Sequence, residues 1–276
     1  MQNAIVLLCF RPDEQMIAFY RGFQQHGYHV YVLVDDNHWQ TENSQGIQYI
    51  QIDDSLCVAE GFYGLNPEIK KPSNCSAWDK AVYFFSKEKT SYDNVWFIED
   101  DVFIPALQTI VSIDRKYGDA DLISASNTIN TTGELLSWWW WQFIPKNVLP
   151  LPWAASMVCA VRISQLTLQH VGQLIQEQRA KMNDKRLLNQ LLYGLFMLFI
   201  PKIKWRYWQY RKYPFIEYLF HTVVIHQGLK VIKADELSGI VWRKEWTVSE
   251  MNVSGLYHPI KDKQLHHTLR LQMAKP

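Results

Sequence analysis

The chain lacks the short signatures that assign many enzymes directly. It has no nucleophile-elbow pentapeptide, Walker loop, dinucleotide GxGxxG or Ser-His-Asp order, which leaves serine hydrolase, P-loop NTPase and dehydrogenase chemistry without support. Its four cysteines, Cys9, Cys57, Cys75 and Cys159, are far apart, with no CxxC pair and no zinc-ligand spacing. They are expected to be free thiols in a reducing compartment, with no structural zinc. Charge of one sign is also missing. A formal net charge of +1 gives no whole-molecule attraction to nucleic acid or anionic membrane, and nucleic acid is not expected as a partner. No apolar run is long enough to cross a bilayer. The longest, Leu187 to Ile200, contains Asn189 and Gln190 and stops at Pro201, short of the roughly 20 residues a span needs. The apolar opening Ala4 to Phe10 is too short for a signal peptide and meets Arg11 and Asp13 at once. The expectation is a cytoplasmic protein, at most peripheral to a membrane surface.

What is present suits a globular domain: 276 residues, 48% apolar and 20% charged, enough to bury a full core. Ala4–Phe10 is a continuous apolar run of strand length, Pro12–His26 has helical character, and Val30–Val34 is a β-branched run ending in Asp35-Asp36. A strand at Gln48–Ile52, a helix at Ser76–Lys87, and strands at Val95–Ile98 and Asp121–Ser124 follow. Beyond the loops of Thr131–Trp153, an apolar run at Ala155–Val161 leads to helices at Ser164–Gln178 and Asp184–Phe199. Another helix, at Phe215–Gln227, is stopped by Gly228. Alternating strands and helices predict an α/β fold with a mostly parallel central sheet flanked by helices. It is read as one compact domain of two fused halves, 1–125 and 126–276. Ligands of such sheets bind beyond the carboxyl ends of the strands, where both acidic clusters fall, Asp35-Asp36 and Glu99-Asp100-Asp101.

Three consecutive carboxylates after a buried strand repel one another, so either a cation neutralises them or they form an acidic surface turn. In Val95-Trp96-Phe97-Ile98-Glu99-Asp100-Asp101-Val102 the pattern resembles the GT-A glycosyltransferases. There an Asp-X-Asp signature after a hydrophobic strand holds the metal that bridges the donor diphosphate. The Glu-Asp-Asp form is similar to that of some inverting families, with glutamate in place of the first aspartate. The resemblance covers the order of elements over about the first 125 residues. It implies a Rossmann-like GT-A fold, a nucleotide-sugar donor with UDP favoured, and a divalent metal, Mn or Mg. Asp101 would be the metal ligand, with Glu99 and Asp100 close to ribose or metal-bound water. Asp35 and Asp36 match the place where such folds bind base or ribose.

The same resemblance implies a late histidine ligand. Tyr257-His258-Pro259 stands in that region, and His258 is either this ligand, favouring Mn over Mg, or a turn histidine. Lys261 either pairs with a phosphate or is solvated. Asp79 and Lys80, in the first turns of the Ser76 helix, either face the donor or, for Asp79, complement the helix dipole. Arg11 either contacts the diphosphate or starts a helix. Inversion requires a general base near the acceptor hydroxyl. Glu217 is the candidate, with His221 four residues on along the same helix face; Asp184, Asp235 and Glu236 are rivals.

Aromatics are abundant, 14% of residues with 12 tryptophans. Four adjacent indoles, Trp138, Trp139, Trp140 and Trp141, cannot all point inward. With Trp153 they form a candidate platform for a sugar acceptor or a wedge at a membrane interface. From Lys202 to Lys212 basic residues alternate with Trp205, Tyr207, Trp208 and Tyr210. This makes 187–213 a candidate for peripheral membrane contact and favours a glycan or lipid-linked acceptor. The alternatives are a sugar nucleotidyltransferase, disfavoured because no glycine-rich loop follows the first strand, and a non-enzymatic carbohydrate- or membrane-binding protein.

Overall fold

A computed structural model describes residues 2–39, 46–66, 75–87, 92–183 and 214–274, the last five of the fourth segment as backbone only. Strand β1 (Asn3–Cys9) leads through helix α1 (Glu14–Arg21) to β2 (Tyr28–Val34). Asp13 caps α1 by accepting from the backbone N–H groups of Gln15 and Met16, and a 3-10 turn ends at Gly27 with φ +83°, a left-handed conformation that favours glycine. Then come β3 (Gln48–Gln51), α2 (Asp54–Ala59), α3 (Ala77–Lys87), β4 (Asn94–Glu99), α4 (Leu107–Lys116) and β5 (Leu122–Ser124). The second half supplies β6 (Thr128–Asn130), β7 (Trp153–Ala155), β8 (Ala160–Ser164), α5 (Gln165–Asn183) and α6 (Ile216–His226). The chain continues with β9 (Val231–Lys233), β10 (Gly239–Ile240), β11 (Tyr257–His258) and α7 (Lys263–Met273).

The fold is α/β. Among the described residues seven strands form one sheet in the order β3-β2-β1-β4-β8-β5-β9. All neighbours run parallel except β8, which lies antiparallel between β4 and β5. Both faces are covered, which explains why β1, β2 and β4 read as unbroken apolar runs rather than alternating ones. On one face Val95 and Phe97 of β4 pack with Trp78, Phe85 and Phe220 from α3 and α6; on the other Trp96 and Ile98 pack with Tyr20, Ile110 and Ile113 from α1 and α4.

Several elements depart from the sequence expectation. Helices α2, α4 and α7 were not anticipated, and the apolar run at 155–161 divides between β7 and β8. Residue 126 falls between β5 and β6, yet β8 and β9 carry the same sheet onward. The helix expected at Asp184–Phe199 and the basic aromatic stretch within 187–213 lie outside the described residues, as does Asp184. Among the described residues no helix is long and apolar enough to cross a membrane.

Candidate metal centre

β4 is the middle strand of the seven, and its carboxyl end delivers Glu99, Asp100 and Asp101 to the edge of the sheet. Because β8 runs the other way, its approach segment meets that same edge: Glu99 N–H donates to the Cys159 carbonyl at 2.9 Å. β11 comes from more than 150 residues further on. It pairs with β10, and Tyr257 bridges Phe103. The approach to β10 is close: a Cβ on Gly239 would lie 2.4 Å from the Leu256 carbonyl oxygen, so any side chain there would displace backbone. Ile260 N–H donates to the Asp101 carbonyl at 2.7 Å, and Trp246 Nε1 to the His258 carbonyl at 3.0 Å.

These contacts place His258 beside the acidic run. Its ring is buried, Nδ1 donates to the Val241 carbonyl at 2.7 Å, and Nε2 faces Asp101 Oδ1 at 3.4 Å. With Nδ1 committed to that carbonyl, Nε2 is turned to the carboxylates, where a neutral ring would offer its lone pair to an ion and a protonated ring would pair with Asp101. Asp101 Oδ1 is buried and accepts no hydrogen bond. Glu99 accepts from Trp78 Nε1 at 2.5 Å, and burial, opposed by that bond and reinforced by Asp101, raises its pKa above the ordinary carboxylate value. Burial opposes the charged form of His258, but Asp101 outweighs it and the pKa rises. The Cys159 thiol is pushed well up by burial, then by Glu99, Asp101 and, more weakly, Glu217. Glu99, Cys159 and His258 each offer a ligand atom, all within 4.8 Å of one another. These three are the described groups whose ligand atoms lie close enough to share an ion, and Asp101 stands beside them, facing His258.

The remaining candidates divide. Arg11 Nε reaches Asp36 at 2.5 Å at the carboxyl ends of β1 and β2, and the Arg11 side chain is largely exposed. The backbone N–H of His38 and then Arg11 hold Asp36 below the usual carboxylate range. Lys80 is fully buried: it pairs with Asp35 at 2.9 Å and Asp54 at 2.8 Å and donates to Asn37 Oδ1. It ties β2 to α2 and α3 and occupies one face of Asp35. Asp79 is likewise engaged within the fold. Wholly buried, it accepts from the N–H groups of Leu65 and Ser76 and from Ser76 Oγ, while Ser76 Oγ accepts from its own N–H. This is a capping box closing the start of α3, and burial lifts the Asp79 pKa to about 6. The lysine that meets the acidic run is Lys263, 2.6 Å from Asp100 and bonded to the Arg11 carbonyl. Lys261 is exposed.

Glu217 opens α6, and its carbonyl accepts from Ser156 N–H at 3.0 Å; its carboxylate is near enough to bear on the Cys159 thiol. His221, one turn on, is a buried partner of Ser124 at 2.7 Å, driven by burial to a pKa of about 3. Glu236 is engaged by Lys116 and Tyr117. It shares with exposed Asp235 a separate cleft of about 220 Å³, lined also by Ser238, Asn252 and Tyr257.

The tryptophan run forms a 3-10 turn over Trp139–Phe143 that spreads the indoles around its axis. Trp141 and Trp153 are each 1% exposed and stack on one another. Burial removes both from any acceptor platform. Trp138 and Trp140 pack on Phe215, and Trp139, 54% exposed, is the ring of the group that faces solvent.

Sequence reasoning missed Cys159 and Trp78 as members of this site. Nothing in the residues around Cys159 marks it, because the neighbour that gives it meaning lies across a strand pairing 60 positions away. No protein-family model matches the chain, and no curated protein matches its sequence. Function is therefore read from the site itself.

Proposed function

We propose that the chain is a metal-dependent glycosyltransferase of the GT-A type, moving a sugar from a nucleoside-diphosphate sugar, UDP favoured, to a glycan or lipid-linked acceptor with inversion. The observation that carries this is Asp101 Oδ1 lying 3.4 Å from His258 Nε2 at the carboxyl end of the central parallel strand, where open α/β sheets bind nucleotides. Asp101 and His258 would hold the ion, with Glu99 beside them. A bound divalent cation supplies charge stabilisation to the diphosphate as it leaves.

The chain's own groups supply the rest. Lys263, paired with Asp100, is a cation that can exchange its carboxylate for a phosphate oxygen. Arg11 and Asp36 frame the outer rim of the same sheet edge. Asp35, anchored by Lys80, presents its remaining acceptor capacity to ribose or base. Glu217 takes the proton of the acceptor hydroxyl as general base. Trp139 offers an indole face to the acceptor's sugar ring.

The test is donor hydrolysis across UDP- and GDP-sugars with Mn2+, Mg2+ or chelator, on wild type and Asp101→Ala. The proposal expects one donor to turn over only with metal and the variant to be inactive. Release of pyrophosphate from sugar phosphate and nucleoside triphosphate would instead indicate a nucleotidyltransferase. The 93% exposure of Leu136 near Trp139 favours a non-catalytic binding surface as the second reading, which predicts no response to metal or to Asp101→Ala.

A further inference from the structure

We infer that Cys159 is a ligand of the ion at this centre and turns the site toward a thiophilic cation of the Zn2+ or Co2+ class, away from Mg2+. The inference rests on the metal-centre part of the proposal above and does not require sugar transfer. Glu99 at the end of β4, Cys159 on the approach to β8 and His258 in β11 arrive from three separate segments, with their ligand atoms all within 4.8 Å. Magnesium sites are built from oxygen, and a sulfur in the wall contributes nothing to them. Thiolate, imidazole and carboxylate together form a borderline-soft set of the kind zinc takes.

Two further observations point to an ion among these atoms. His258 is more than nine-tenths buried, with Nδ1 committed to the Val241 carbonyl, so Nε2 is the ring nitrogen turned toward the cluster. Asp101 Oδ1, buried without a hydrogen bond, lies 3.4 Å from that Nε2. This is long for a hydrogen bond, yet two ligands each about 2.1 Å from a tetrahedral ion sit roughly 3.4 Å apart. On binding, the Cys159 S–H bond breaks, its proton passes to solvent, and the sulfur lone pair forms the bond to the ion; nothing is oxidised or reduced.

Cobalt loading followed by near-ultraviolet and visible absorption tests this on the wild-type chain directly, with zinc and manganese affinities measured by chelator competition on wild type and Cys159→Ser. The expected result is an intense sulfur-to-cobalt charge-transfer band in wild type that is absent from Cys159→Ser, with zinc affinity in the variant at least ~10-fold weaker and manganese affinity within about twofold. A wild-type cobalt spectrum without that band, or equal zinc affinity in the two proteins, overturns the inference. The wild-type spectrum does not depend on whether the variant folds. UDP binding with Mn2+ on the same samples separates the two claims. Binding without the band removes Cys159 and leaves the transferase, whereas the band without any nucleotide binding keeps Cys159 as a ligand and removes the transferase.

Discussion

Asp114 and Asp101 stand at opposite ends of the same sheet and are treated in opposite ways. Asp114, near the strand starts, is saturated: Asn3 Nδ2, Tyr28 OH, Trp96 Nε1 and Arg162 Nη1 all donate to it. Arg162, fully buried, also donates to the carbonyls of Tyr117 and Ala120. Asp101, at the strand ends, keeps a buried oxygen without any hydrogen bond, facing His258 Nε2 at 3.4 Å. A carboxylate that the fold satisfies with its own donors is structural. One that it leaves unsatisfied, beside other ligand-type atoms, costs stability unless something else binds there.

The largest effect that sharpens this contrast belongs at the saturated end. Arg162→Ala leaves Asp114 buried without its cation and should cost about 3–5 kcal/mol in urea unfolding, with no change in the ions bound by the folded fraction. Next, Asp101→Asn should lower divalent-ion affinity ~100-fold, measured by chelator competition, while leaving the urea midpoint equal or slightly higher because a repulsive charge is removed. A fall in stability as large as that of Arg162→Ala would erase the distinction between the two ends.

Acid titration probes the region between them. His221 has its folded pKa depressed by burial from 6.5 to about 3, so its contribution to stability is fully present above the unfolded value and is lost as pH falls toward 3. The urea midpoint should drop between pH 6.5 and 4, and His221→Gln should flatten that slope. The smallest effect concerns the lysines. Lys263→Ala should weaken nucleotide binding several-fold by removing a charge-assisted contact, and Lys261→Ala should leave it unchanged; the reverse order would move the phosphate contact to Lys261.

The legible part of the fold follows from two-sided burial. β1, β2 and β4 are unbroken apolar runs, and α3 announces itself through Trp78, Ala81, Val82 and Phe85 on one face. Helices α4 and α7 were not recognised, since polar residues interrupt their short apolar faces. Ala155–Val161 was read only as one apolar run, broken by Ser156, because the boundary between β7 and β8 is set by pairing partners far along the chain. At the site, the acidic run and His258 were visible as residue types at strand ends, and the structure brings Asp101 and His258 together. Asp79 was left between a donor role and a helix-start role; Ser76-x-x-Asp79 is a capping pattern and its helical position could be read, but its complete burial could not. Cys159 carries no local mark at all, and a cluster of potential ligands assembled from three distant segments has no spacing to detect.

The most direct test of the centre is calorimetric titration of UDP into the wild-type chain with chelator and with Mn2+, and into His258→Ala with Mn2+. The account predicts one UDP site per chain in wild type with the ion, no heat with chelator, and affinity weakened at least ~10-fold in the variant. UDP binding of equal strength in all three experiments, or in none, would contradict it.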